Sequence, residues 1–238
     1  MIKMMILAPR RAGMTHAEFR RYVTEVHGPL VKSVPEVAAD IRRYHYNFPI
    51  AGLTDAAFGH PLASHLGVVT EAWFDSVESQ KQNMKLPRYL EIVRPDEHRF
   101  ADGGRAVMHY AREVPVLEGE RSLLKAFYFR RRRPGLSRLE FQERWLALFG
   151  QALAENPGCG LAITSYVQNH VVSEAEHPEG HDAKYFDVID ELFLTDVSRL
   201  AVLADHGPSL AVMRRLEQEL LDPAATRTFI AETVVSIP

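Results

Sequence analysis

Gly13-Met14-Thr15-His16-Ala17-Glu18-Phe19 recurs as Gly135-Leu136-Ser137-Arg138-Leu139-Glu140-Phe141, an offset of 122 residues (13 to 135). At the same offset Lys3 meets Lys125, Arg10 meets Arg132, Tyr44 meets Tyr166 and Asn47 meets Asn169. Further along the offset becomes 120 (71 to 191): Glu71-Ala72-Trp73-Phe74 answers Glu191-Leu192-Phe193-Leu194, and Ala111 answers Ala231. A spacing held through most of both halves makes the chain two copies of one domain, so the positions where the copies differ carry the information.

The quoted stretch is itself a helix start. Thr15-x-x-Glu18 and Ser137-x-x-Glu140 both have the form of a capping box, in which hydroxyl and carboxylate each satisfy a backbone donor of the first turn. Met14 with Phe19, and Leu136 with Phe141, have the spacing of a hydrophobic staple. Phe19, Tyr22, Val23, Val26 and Leu30 then form an apolar helical stripe in copy one, answered by Phe141, Trp145, Leu148 and Ala152 in copy two. Around these helices the pattern predicts strands at 2–9, 41–48, 67–75 and 105–116, repeated at 122–130, 162–172, 186–195 and 227–236. The third strand of each copy reads as half-buried. Helical stretches are predicted at 77–93 and 197–221. The order strand–helix–strand–strand–helix–strand is ferredoxin-like, which gives domains at 1–116 and 122–238 joined by Leu117–Arg121. Between strands two and three of each copy lies a long irregular connection with two histidines, of the kind that often forms a lid.

Composition narrows the function classes. Of the 238 residues 46% are hydrophobic and 25% charged, as expected for a soluble globular protein. The formal charge of −3 gives no reason to expect nucleic acid or an anionic membrane as partner. The apolar start aligns with an internal strand and reads as a strand rather than a signal segment. A single cysteine, Cys159, excludes an intrachain disulfide and a thiolate metal site. The expectation is a cytoplasmic protein.

The strand ending in Arg10-Arg11, then Gly13-Met14-Thr15, Phe19-x-x-Tyr22 and His27-Gly28-Pro29-Leu30, followed by the Tyr44…Asn47 and Trp73-Phe74-Asp75 strands, resembles the EthD family of the dimeric α+β barrel superfamily. That resemblance implies an α+β fold of two tandem ferredoxin-like (βαββαβ) domains pairing as an intramolecular dimeric α+β barrel. It leaves room for a homodimer of the pseudo-dimeric chain. It also implies a ligand cavity between each sheet and its own helices, and chemistries that include cofactor-free oxygenation, cyclisation, dehydration and, in tandem relatives, haem chemistry.

Among the candidate residues, His27 falls on the inward stripe and precedes Gly28-Pro29, where the helix should loosen because proline has no N–H to donate. An imidazole beside a cavity suits acid–base work near neutral pH; a hydrogen-bonded core or capping histidine is the plain alternative. In copy two the matching residue is Phe149, and Pro29 becomes Gln151, so copy one is the expected active copy and copy two the degenerate one. Tyr44 and Tyr46 point to one face of their strand, His45 and Asn47 to the other. Tyr22, Tyr44 and His45 are candidate catalytic partners of His27, with Tyr46, Asn47, Glu71 and Trp73 as candidate substrate contacts. Glu71 and Glu191 would be costly to bury alone, and a pairing with Lys3 and Lys125 is preferred. The run Arg130–Arg133 reads as a solvated strand end, or as a carboxylate- or phosphate-gathering mouth. His170, His177, His181 and Asp182 are close in sequence but have no metal-ligand spacing; haem would need an axial histidine, for which His170 or His206 could serve, but no motif singles out either, and no metal and no cofactor are expected. The leading expectation is a cofactor-independent enzyme of cyclase, dehydratase or lyase type acting on a hydrophobic, oxygenated aromatic or polyketide-like molecule. The alternatives are a non-catalytic binding protein of a degradation pathway, and a cofactor-free monooxygenase or haem-binding barrel.

Overall fold

The described residues include eight strands, built largely from apolar and aromatic residues. The computed structural model describes residues 1–53, 60–155, 163–172, 185–198 and 207–238, with backbone alone for 149–155 and 207–213. The chain divides into two units: unit one is Met1–Pro49, Ser64–Arg112 and Thr233–Pro238, and unit two is Ile50–Ala63 and Glu113–Glu232.

Unit one contains β1 (Ile2–Pro9), α1 (His16–Tyr22), a π turn over Val23–His27, α2 (Gly28–Lys32), α3 (Pro35–Ala38), β2 (Arg43–Pro49) and β3 (Leu66–Phe74). It continues with α4 (Val77–Asn83), a second π turn over Tyr89–Val93, α5 (Arg94–Phe100) and the first part of β4 (Val107–Leu117). Its strands hydrogen-bond in the order β4–β1–β3–β2, all antiparallel. Unit two contains β5 (Leu124–Arg130), α6 (Arg138–Glu155), β6 (Ile163–Val171), β7 (Val188–Leu194), α7 (Gly207–Leu220) and the first part of β8 (Arg227–Ile237), in the antiparallel order β8–β5–β7–β6. No described helix is long and apolar enough to cross a membrane.

The helix starts follow the sequence. Thr15 accepts from the Glu18 N–H while the Glu18 carboxylate accepts from the Thr15 N–H at 2.8 Å, the full capping box. Ser137 likewise accepts from the Glu140 N–H at 3.2 Å. The turns ahead of both helices place Gly13 and Gly135 at φ of 89° and 95°, a region that side chains strain to enter.

Beyond the first turns the structure corrects three expectations. The first concerns the helix stripe. Val26 is 44% exposed, because the π turn inserts one residue and rotates the following face by about 100°. His27 keeps the inward position expected of it, and Gly28 and Val31 rather than Val26 join it there. The second concerns β3, which is buried along its whole length rather than on one face. Its outward-from-helix side carries a buried triad: Lys3 Nζ reaches Glu71 at 2.9 Å, and Asn47 Nδ2 donates to the same carboxylate at 2.9 Å. Unit two repeats the triad with Lys125, Glu191 and Asn169 at 3.2 and 2.7 Å. Lysine pairing of both glutamates is therefore observed, and the asparagine supplies the extra hydrogen bond that a buried ion pair needs.

The third concerns the arginine run. Arg130 is 3% exposed and Arg132 is also buried. Arg130 binds Asp190 and Glu217, Arg131 binds Asp222 and Arg132 binds Asp187. Carboxylates of this chain occupy these three guanidiniums, so Arg130–Arg132 are not a waiting anion site, and only Arg133 is exposed as a solvated strand end would be.

Candidate active site

Unit one holds a cavity of about 380 Å³ between its sheet and its helices. Strand alternation builds the floor: Met4, Ile6 and Ala8 of β1, Tyr44 and Tyr46 of β2, and Val68, Thr70, Ala72 and Phe74 of β3 all project to the helix side. Val23, His27 and Val31 descend from the first helical segment, and Tyr89, Val93, Arg94, Glu97 and Phe100 from the second. Most of the wall is apolar, so the few polar groups are the informative ones.

Both helical segments reach the cavity through a π turn. The Gly28 N–H bonds Val23 O and the Arg94 N–H bonds Tyr89 O, five residues back in each case, and a proline, Pro29 or Pro95, stands second after each turn. A proline cannot make the next four-back bond, so the ladder widens ahead of it. Space is tight at Gly28: a Cβ would lie 3.2 Å from Val23 O and 3.3 Å from the Tyr46 ring, so a larger residue would need its neighbours to shift by a few tenths of an ångström.

The two turns bring His27 and Asp96 together. His27 Nδ1 lies 3.0 Å from Asp96 Oδ2, and the Tyr22 hydroxyl donates to Asp96 Oδ1 at 2.6 Å. An ionised Asp96 accepts the Nδ1 proton, which leaves Nε2 as the basic nitrogen. Among the described residues Nε2 makes no hydrogen bond. Burial pulls the Asp96 carboxyl upward, but the hydrogen bonds from His27 and Tyr22 and the charges of His27 and Arg99 outweigh it and hold the group below its ordinary value. The His27 ring rests against Phe100 with centroids 4.7 Å apart, which fixes its plane.

Other polar groups surround this pair. The Tyr89 hydroxyl donates to Glu97 at 2.8 Å. Burial pushes Glu97 above the usual carboxylate value despite Tyr89, His27, Arg94 and His98. Burial also raises the Tyr44 phenol well above its ordinary value, so it stays a neutral donor. The buried Tyr46 hydroxyl completes no hydrogen bond of ordinary geometry among the described residues, although Tyr44 and Ser236 lie close.

The structure thus brings His27, Tyr44 and Tyr46 to one cavity, with Tyr22 behind them as a partner of Asp96. His45, Asn47, Glu71 and Trp73 occupy the other face of the same strands: His45 packs on the Trp73 ring at 4.9 Å, and Asn47 and Glu71 belong to the buried triad. They do not line the cavity. His177, His181, Asp182 and His206 lie outside the described residues. Among the described residues no group of three or more His, Cys, Asp or Glu is arranged to hold a metal ion. The sequence reading missed Asp96, Glu97 and Tyr89. A signal for Asp96 was present: its partner at the offset of 120 is Leu216, the same loss in copy two that singled out His27.

With this geometry in hand, comparison with known proteins places the chain. A curated relative from Metarhizium robertsii, described as a conidial pigment biosynthesis dehydratase EthD, is 31% identical over 107 residues, which span 43% of this chain and 75% of that protein. The chain belongs to the EthD family. The EthD domain itself matches residues 11–104, which carry every cavity residue of the first helical segment, β2, β3 and α5. Among solved structures, an anthrone oxidase-like protein superposes on this EthD-family chain with a TM-score of 0.65 at 8% identity, covering 99% of this chain and 93% of that one. A putative monooxygenase from Fusobacterium nucleatum gives 0.57 at 6% identity, covering 98% and 93%. At such identities the likeness is one of α+β fold, not of chemistry.

Proposed function

We propose that unit one is an acid–base enzyme that needs no cofactor and eliminates water from a hydrophobic, oxygen-bearing aromatic or polyketide-like molecule. One observation carries this reading: an imidazole whose Nδ1 is engaged by a buried carboxylate at 3.0 Å, set in the wall of a largely apolar cavity. His27 Nε2 is the general base that removes a proton α to a carbonyl. Asp96 holds the tautomer, and Tyr22 holds Asp96. The Tyr46 hydroxyl, buried and short of a partner, is placed to donate to the substrate carbonyl. The dehydratase description of the relative supports elimination over the other chemistries of a carbonyl α-carbon. We also propose that the chain is a tandem pair of ferredoxin-like domains, 1–116 and 122–238, supported by the shared element order and the two Lys–Glu–Asn triads.

The test uses 3-hydroxytetralone, which loses water to give 1-naphthol, read by fluorescence. His27→Ala is expected to lower turnover by roughly 10²- to 10⁴-fold with the melting temperature held. Unchanged turnover by that variant would remove His27 as the base, and no turnover by the wild type would leave the cavity a binding site and end the enzyme reading.

A further inference from the structure

An elimination needs an acid as well as a base, because hydroxide is a poor leaving group. We infer that Glu97 is that acid, donating its proton to the leaving oxygen while His27 takes the carbon-bound proton, an inference that rests on the proposed elimination. Glu97 follows Asp96 on α5 and lines the same cavity as His27. Its carboxyl is fixed by the Tyr89 hydroxyl at 2.8 Å, and its closest cation is Arg94 at 4.0 Å, beyond a hydrogen bond. The titratable groups facing it are His27, Tyr44, Tyr46, Tyr89, Arg94 and His98. Tyr44 and Tyr89 are the rival donors, but burial pushes both phenols up, which makes them weaker acids. Burial pushes the Glu97 carboxyl toward neutrality, where a proton donor works best.

Unit two supplies an internal control. Glu217 is the residue matching Glu97 at the offset of 120. There Arg130 Nη1 donates to Oε1 at 2.8 Å and His60 Nε2 meets the same oxygen at 2.8 Å. Burial raises that carboxyl too, but the His60 hydrogen bond and the Arg130 charge turn the balance and hold it below its ordinary value. The position matching Arg130 in unit one is Ala8, so Glu97 lacks the buried guanidinium that hydrogen-bonds Glu217 and keeps only the longer Arg94 contact.

The step balances. His27 Nε2 takes the α-proton, the C–H pair becomes the new C=C bond, the C–O bond breaks, and the oxygen leaves as water carrying the Glu97 proton. His27 ends protonated and Glu97 ionised, and exchange of one proton with solvent at each group restores both.

The experiment compares two leaving groups on one skeleton. 3-Acetoxytetralone gives the same 1-naphthol but expels acetate, which needs little protonation. Glu97→Gln is expected to lower turnover of 3-hydroxytetralone by roughly 100-fold or more, and of 3-acetoxytetralone by less than about 5-fold. His27→Ala should lower both. Glu97→Asp, which keeps a carboxyl, should recover part of the 3-hydroxytetralone rate and guards against a folding defect in the glutamine variant. Equal losses on both substrates in Glu97→Gln, or no loss on the hydroxy compound, would overturn the assignment of the acid. A His27→Ala variant that spares both substrates would instead overturn His27 as the base, and with it the proposed function on which this assignment rests.

Discussion

Around the cavity of unit one stand Ala8, Val23 and Thr70; at the matching positions of unit two stand Arg130, Trp145 and Asp190. The register supports the match, since Ala8 pairs with Val68 as Arg130 pairs with Val188, and Ile6 with Thr70 as Tyr128 with Asp190. In unit two these side chains satisfy one another. Arg130 Nε donates to Asp190 at 3.0 Å, Trp145 Nε1 at 3.2 Å and the Tyr166 hydroxyl at 2.7 Å, and the guanidinium lies 5.0 Å from the Trp145 ring. The same strand and helix positions thus hold space and a His–Asp pair in one unit, and a self-satisfied polar cluster in the other. The backbone pattern is permissive; at these three positions small side chains border the cavity of unit one, and large or charged ones bond to each other in unit two. Elsewhere the contrast extends to the helices. Gln151 in place of Pro29 lets α6 run unbroken through Arg138–Glu155, where unit one needs a π turn.

This contrast can be attacked from either side. The heaviest blow falls on unit two: Arg130→Ala strands Asp190 and Glu217 without their cation and should cost about 3–5 kcal/mol in chemical denaturation. The double variant Arg130→Ala/Asp190→Thr, which copies the residues of unit one, should lose less than the single one, and an equal or greater loss would break the matched-pair reading. Next in size, Trp145→Val empties a buried indole and should cost roughly 3 kcal/mol. Its mirror, Val23→Trp, fills the cavity of unit one. That variant should keep its melting temperature while weakening 1-naphthol binding by about tenfold or more, measured by fluorescence titration. A stable Trp145→Val would show that the cluster is not packed as described.

Smaller effects sharpen the His–Asp pair. Asp96→Asn should lower 3-hydroxytetralone turnover on the order of 100-fold by releasing the tautomer of His27. Because the Asp96 carboxyl sits below its ordinary value, the stability it contributes is complete above that ordinary value and is lost as pH falls through the lowered one. Acid titration of wild type against Asp96→Asn should therefore converge at low pH. The finest distinction is between Glu97 and Glu217: carbon-13 titration should find the first above, and the second below, the usual glutamate value. A common value for the two would dissolve the comparison at its chemical centre.

Much of the fold was legible because it is written locally or twice. Capping residues act within one turn, so Thr15 and Glu18 announced α1 without help from the rest of the chain. Lys3 and Glu71 were paired on paper because two buried charges at repeated positions need one another. His27 was visible through its absence from copy two. Asp96 is 69 residues from His27, in a helix whose only local mark is a proline, and no spacing rule joins them. The exposure of Val26 depends on one inserted residue that a 3.6-residue period does not register. The burial of Arg130 depends on carboxylates 60 and 87 residues away.

One assignment made with the fold bears on how the protein comes into being. Thr233–Pro238 belongs to the unit that begins at Met1, and the Thr233 hydroxyl donates to the buried Asn47 side chain at 2.7 Å. On the ribosome those residues appear about 120 positions after the rest of that unit, roughly ten seconds later at ordinary rates of synthesis. The unit that carries the cavity therefore waits for its last hydrogen-bonding residues until Glu113–Glu232 of the other unit has been made.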